Sequence, residues 1–374
     1  MPPDALYIHI PFCIRRCAYC AFASTLYTPA LVEPYLDALE AEFERRAGHL
    51  APVTLYIGGG TPTALSLREL GRLFRILELL DASKVREFTV EANPGTLSID
   101  KLQRLLEAGV TRLSLGVQSF SDEGLRVLGR IHTAREARTA AALCHEAGFD
   151  DLSLDLITGW PGQTLAVWQA DIERALACAP AHLSCYGLTY EVGTPLERAR
   201  EEGRFSVVGE EEERAMLDWT LSYLPSRGFE HYEISSYTRP GHVCRHNVAY
   251  WEGAEYVGLG AGAHSYEDGV RFSNAERPDA YIRLMRESGS ARCWEEWLPP
   301  EARARERAVI WLRMRNGIDL GRFARETGFS LENLYGTRLC HLEEEGWIER
   351  TATHLSLSAR ALPVADTILA ELVT

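Results

Sequence analysis

Short apolar runs recur along the first half of the chain, separated by stretches with a helical period. The runs are ALYIHI (5–10), VTLYIGG (53–59), REFTVEA (86–92), RLSLGVQ (112–118), DLSLDLI (151–157) and HLSCYGL (182–188). Each is rich in β-branched or large apolar residues, as a strand is. Between them PALVEPYLDALEAEFERRA (29–47), SLRELGRLFRILELL (66–80) and AREARTAAALCHEAG (134–148) predict helices. Strand, helix, strand at this spacing predicts βαβ units, an α/β fold and a parallel sheet. Right-handed crossovers in series build either a doubly wound sheet or a barrel, and both bind ligands at the C-terminal ends of the strands. The polar and glycine-rich residues gather at those ends: GGGTPT (58–63) after the second run, Glu91 and Asn93 at the third, Gln118 at the fourth and Asp155 in the fifth.

From about residue 195 the rhythm breaks. GEEEERAMLDWTLSYLPSRG (209–228) predicts an amphipathic helix, and residues 230–266, rich in Gly, Tyr and His, predict strands and functional loops. Residues 318–361 have the order helix, turn, helix, hairpin, as in a winged-helix module. HLEEEGW is too acidic for a nucleic-acid recognition helix, so this segment is expected to be a structural or docking cap. The expected organisation is a core over 1–195, an extension over 196–298 and a winged-helix-like domain over 299–374.

Charge adds exclusions. Lys and Arg number 39 and Asp and Glu 53, a net charge of −14, which disfavours broad phosphate-backbone binding. No apolar run is long enough to span a bilayer, and the first residues lack the pattern of a secretory signal. The expected location is the cytoplasm. The nine cysteines are then expected to be thiols or metal ligands. Six are scattered and read as small buried hydrophobes.

The other three are not scattered. HIPFCIRRCAYCAF (9–22) places Cys13, Cys17 and Cys20 on one short loop. With His9 as a fourth ligand they suit zinc. A structural zinc site would usually bring a second, distant ligand pair, and the short spacings better fit an iron–sulfur cubane with three protein ligands, which leaves one iron open to a reactant.

The spacing C-x3-C-x2-C, with an aromatic before the last cysteine, resembles the cluster loop of radical S-adenosylmethionine proteins. The resemblance implies a partial (β/α)6 barrel. It also implies a [4Fe-4S] cluster on Cys13, Cys17 and Cys20, whose open iron chelates S-adenosylmethionine and whose reduced form cleaves it to a radical. LYIHIPFC, GGGTPT, EANP, RLSLGVQSF and DLITGWPGQT together resemble the oxygen-independent coproporphyrinogen III oxidase family. That family implies that Gly59, Gly60 and Thr61 touch S-adenosylmethionine and that Glu91 meets ribose hydroxyls. It also implies nucleotide or second-ligand contacts for Gln118, Arg130 and Asp155, and places Tyr7 and Tyr19 against the cofactor. Thr189 is a looser correspondence. No residue is assigned as catalytic.

Two departures separate the chain from the oxidase. Phe22 stands where the oxidase loop has a further cysteine, and with twelve residues before Cys13 the oxidase's N-terminal arm is not expected. HNVAYW (246–251) instead matches the H-N-x-x-Y-W motif of the heme chaperones of the same family. That resemblance implies heme as a third bound group, with His246 and Tyr250 at its site. It also implies an acceptor protein such as a membrane cytochrome, with a homodimer as an open assembly state. Trp251 is suited to stack on a macrocycle, and Cys244 and His264 are competing iron ligands. Coproporphyrinogen III oxidation, or radical chemistry on another substrate, is the alternative function.

Overall fold

The computed structural model describes residues 4–373. All six apolar runs form strands: β1 (Ala5–Ile10), β2 (Thr54–Gly59), β3 (Glu87–Ala92), β4 (Arg112–Gln118), β5 (Asp151–Thr158) and β6 (His182–Gly187). Each pairs in parallel with the next. A doubly wound sheet reverses its strand order, whereas these strands run in chain order without reversal. That order makes the domain a barrel wall, with all C-terminal ends on one rim. Among the described residues no pairing joins β6 to β1, so the barrel is partial and the sheet open.

The sheet continues on both sides. Beyond β6 lie β7 (Glu230–Glu233) and β8 (Ser236–Thr238), in the order β6-β8-β7, with antiparallel pairing. On the other side β1 pairs in parallel with β9 (Tyr256–Leu259), from Ala5 opposite Tyr256 to Ile8 opposite Leu259. Then come β10 (His264–Glu267), β11 (Val270–Asn274) and β12 (Arg292–Trp297), all antiparallel. The twelve-stranded sheet therefore runs through residue 195, although the parallel rhythm ends there.

Local chemistry fixes the crossover helices. α1 (Pro29–Ala47) carries proline in its first turn, where no amide partner is lost. α2 (Leu67–Leu77) opens on a reciprocal capping box between Ser66 and Glu69. α3 (Ala134–Ala147) opens on the same device between Thr133 and Glu136, and ends at Gly148 with φ of 106°. α4 (Arg245–Trp251), which carries HNVAYW, has no cap of its own. Its first amides, from Arg245 and His246, donate to buried Glu87 at the start of β3, at 2.8 and 3.0 Å. A carboxylate at that end also complements the positive end of the helix dipole.

One hydrophobic core runs from Leu6 to Ala291 and a second from Ala304 to Leu372. Among the described residues the second holds α5 (Pro300–Trp311), four shorter α-helices and a three-stranded antiparallel sheet. This is the helix, turn, helix, hairpin order expected of the cap. Val248 and Trp251 of α4 pack against this second core, and the Arg313 guanidinium lies 5.0 Å from the Trp251 ring centre. None of the helices among the described residues is long and apolar enough to cross a membrane.

Candidate functional site

The strand ends surround a cavity of about 400 Å³. Cys13, Cys17 and Cys20 form part of its wall, and none of the three is in a disulfide. The Thr61 hydroxyl points to the Cys13 sulfur at 3.7 Å, and Arg130 Nη1 lies 3.1 Å from the Cys17 sulfur. Among the described residues no three His, Cys, Asp or Glu side chains converge as ligands of a single ion. The loop offers separate thiols along one wall, which suits a cluster in which each thiolate takes its own iron.

His9 does not complete a zinc site. Its Nε2 is 2.7 Å from the Ala23 carbonyl and its Nδ1 3.1 Å from the Tyr7 hydroxyl. Burial lowers its pKa. A neutral ring that donates to the carbonyl and accepts from the tyrosine has no lone pair left for a metal.

The glycines after β2 are required by close approach. A Cβ on Gly60 would lie 2.8 Å from the Pro11 carbonyl carbon and 2.9 Å from the Phe12 nitrogen, against the backbone leading to Cys13. Gly59 has φ of 107°, and its amide donates to Glu91 at 3.0 Å. Glu91 also accepts from the Tyr56 hydroxyl at 2.8 Å. Burial, reinforced by the neighbouring Asp155 carboxylate, raises the Glu91 pKa to about 7. Burial likewise raises Asp155, which accepts from the Ser114 hydroxyl at 2.8 Å. Gln118 has φ of 69° at an irregularity in the β4–β5 pairing. Such a conformation outside glycine is uncommon and turns the side chain away from the strand line. Arg130, whose residue type alone suits a surface, donates to the Gly116 carbonyl at 2.6 Å and to Asn93.

Tyr19 and Thr189 line this cavity with the cysteines. Tyr7 does not. It lines a second cavity of about 1060 Å³ on the other side of a shared wall. Phe22, Tyr56, Gly59, Glu91, Tyr186 and Asn247 border both spaces. The second cavity reaches from that wall across α4 and β10 to α5 of the C-terminal domain.

His246 and Tyr250 lie on this second wall, with His246 only 1 % exposed. Its Nδ1 is 2.9 Å from the Thr54 hydroxyl and its Nε2 3.0 Å from the Tyr250 hydroxyl. The ring stacks on Tyr56 with centres 4.9 Å apart, and burial lowers its pKa to about 3. Both ring nitrogens are thus engaged. Cys244, the competing ligand, is buried and lines the first cavity. Burial raises its pKa to about 12 and its thiol points to Glu87 at 3.7 Å. His264 lines the second cavity and is exposed.

Several residues have roles that the sequence did not assign. Asn93 ties Thr61 to Arg130, donating to the Thr61 hydroxyl at 2.7 Å. EANP displays this asparagine, but not its partners. Ser24 and Thr89 also line the first cavity, and their buried hydroxyls have no hydrogen-bond partner among the described residues. Orphaned hydroxyls of this kind fit a site that receives a polar ligand. No local signal marks them.

Comparison with known proteins gives the family and the fold. Residues 7–175 match the radical SAM superfamily, and residues 298–364 match the HemN C-terminal domain. A heme chaperone HemW of Bacillus subtilis is 38% identical over 94% of each chain. The heme chaperone HemW of Escherichia coli is 36% identical over 76% of each chain. The coproporphyrinogen III oxidase HemN of Escherichia coli superposes with a TM-score of 0.86. It covers 100% of this chain and 90% of the other, but at 23% identity this likeness shows the fold alone.

Proposed function

Because the chain belongs to the HemW heme-chaperone family within the radical SAM superfamily, we propose that it is a heme carrier. In this reading Cys13, Cys17 and Cys20 hold a [4Fe-4S] cluster, and S-adenosylmethionine occupies the first cavity. Heme occupies the second and is passed to an acceptor protein. The cluster, when bound, supplies an iron with an open coordination position and one-electron reducing power.

The observation that carries the reading is the pair of adjoining cavities. One suits a nucleotide-sized polar ligand beside three thiols. The other is larger, lined by aromatic rings and arginines, and lies beside the HNVAYW helix. In the first, Gly59, Gly60 and Thr61 present backbone and a hydroxyl to the cofactor, and Tyr19 packs against it. Glu91, Gln118, Arg130 and Asp155 orient its polar groups. In the second, Tyr7, His246 and Tyr250 form a fixed wall for the macrocycle.

The carrier works in the cytoplasm, and its acceptor is a membrane cytochrome. The division into 1–195, 196–298 and 299–374 assigns cofactor, heme cavity and cap to successive segments. A homodimer is the assembly to look for by light scattering, with and without hemin.

The test uses anaerobically cluster-loaded protein. Hemin titration is expected to give saturable binding, and coproporphyrinogen III with S-adenosylmethionine is expected to give no protoporphyrinogen. Cluster-loaded protein that binds no hemin, or that forms protoporphyrinogen, overturns the reading.

A further inference from the structure

Three histidines line the second cavity: His9, His246 and His264. An iron ligand needs a free imidazole lone pair. His9 and His246 each use both ring nitrogens in hydrogen bonds within the fold. Among the described residues the His264 ring has no hydrogen-bond partner. Its neighbour is the Trp294 ring, with centres 6.2 Å apart at 60°. The pairings of His264 with Ser273, and of Ser273 with Trp294, set these side chains in one row across β10, β11 and β12.

The arginines of the cavity divide in the same way. Arg271 is held bidentately by Glu306 at 2.8 and 2.7 Å. Arg307 donates to the Glu252 carbonyl at 2.9 Å and pairs with Glu326. Arg303, one helical turn before Arg307 on α5, is half-buried, with its guanidinium against Gly269 and without a hydrogen-bond or ion-pair partner among the described residues. Taking a guanidinium partly out of water without an anion is unfavourable, and its fork matches a carboxylate. Exposed Glu276 also lines the cavity, so what singles out Arg303 is its pairing state and not a general basic field.

We propose that His264 ligates the iron of heme in the second cavity and that Arg303 holds a heme propionate. The HNVAYW helix then supplies a fixed wall rather than the ligand. This rests on the heme-carrier reading, and the test separates the two.

Hemin is titrated into cluster-loaded full-length protein, with the Soret band and electron paramagnetic resonance as readouts. His264→Ala is expected to lose the imidazole-ligand spectrum and about 10- to 100-fold in affinity. Free imidazole added to this variant is expected to restore the spectrum. Arg303→Gln is expected to keep the spectrum and lose about tenfold in affinity. With hemin dimethyl ester, which has no carboxylates, wild type and Arg303→Gln are expected to bind alike. His264 is exposed on a strand, so its alanine variant is expected to fold, as far-ultraviolet circular dichroism will check. Absence of hemin binding by wild type overturns the carrier reading and this assignment with it. Hemin bound by wild type, and bound by His264→Ala with an unchanged spectrum, overturns the ligand assignment alone. An Arg303→Gln loss that persists with the ester overturns the propionate contact.

Discussion

The first cavity takes its lining mainly from the cysteine loop and from five of the six parallel strands, β2 to β6, with the loops that follow them. The second takes its lining from β1, α4, β10 and a helix of the C-terminal domain. In the first, most of the polar groups named above are tied to one another: Asn93 to Thr61 and Arg130, Glu91 to Tyr56 and Gly59, Asp155 to Ser114. In the second, tied and untied groups alternate, and His264 and Arg303 are left over. The difference is one of construction. A barrel rim fixes its residues by strand register before any ligand arrives, whereas a space between elements distant in sequence is fixed only by their docking. Preorganisation is therefore greater at the cluster side, and adaptability at the side proposed to load and release a cargo.

If the cavities are separable, Cys17→Ala is expected to abolish the broad iron–sulfur absorbance while hemin affinity stays within about twofold. A parallel loss of hemin binding would show that the shared wall couples them. His246→Ala is expected to cost about 2–4 kcal/mol of stability in urea denaturation, because Thr54 and Tyr250 lose a buried partner and Tyr56 its stacked ring. A cost under about 0.5 kcal/mol would mean that the histidine is not the buried brace described here. Gly60→Ala is expected to destabilise by about 1–3 kcal/mol and to weaken S-adenosylmethionine binding in equilibrium dialysis, since the added methyl meets backbone.

The next effect depends on pH. Glu91 ionises near 7 in the folded protein, against an ordinary value of 4.5, so the folded state retains a proton that the unfolded chain gives up. Its contribution to stability is complete below pH 4.5 and is lost as pH rises through about 7. The urea midpoint of ligand-free Glu91→Gln should accordingly fall less between pH 5 and pH 8 than that of wild type. Equal slopes would place Glu91 in a more solvated setting. The smallest effect is expected at Phe22, which is 68 % exposed on the shared wall. Phe22→Ala should change stability by no more than about 0.5 kcal/mol, and any change in hemin affinity would assign the ring to the macrocycle.

The barrel half was legible in the sequence because its information is local. Six apolar runs coincide with six strands to within a residue or two, and Ser66, Thr133 and Gly148 mark helix ends by their own chemistry. The run over 29–47 is α1 without change, while 66–80 shortens to Leu67–Leu77. Monotonic strand order was not legible, because periodicity allows both a barrel and a doubly wound sheet. The second site was legible as a motif but not as a geometry. HNVAYW names His246 and Tyr250, and helical spacing puts them on one face. It does not reveal that they bond to each other, that Thr54 takes the remaining nitrogen, or that Glu87 caps the helix from β3. These partners lie far away in sequence, where no period reaches. For the same reason Tyr7, close to the cysteines in sequence, faces the other cavity.

The pairing of β1 with β9 has a consequence for how the chain is made. β1 leaves the ribosome well before β9, and β2 covers one of its edges early. The other edge stays bare until Tyr256–Leu259 emerges, a wait on the order of ten seconds or more at ordinary translation rates. An apolar strand held open that long invites pairing with a neighbouring chain. Chains that terminate before Leu259 are therefore expected to accumulate as aggregates rather than as free barrels, which sedimentation of truncated chains will check.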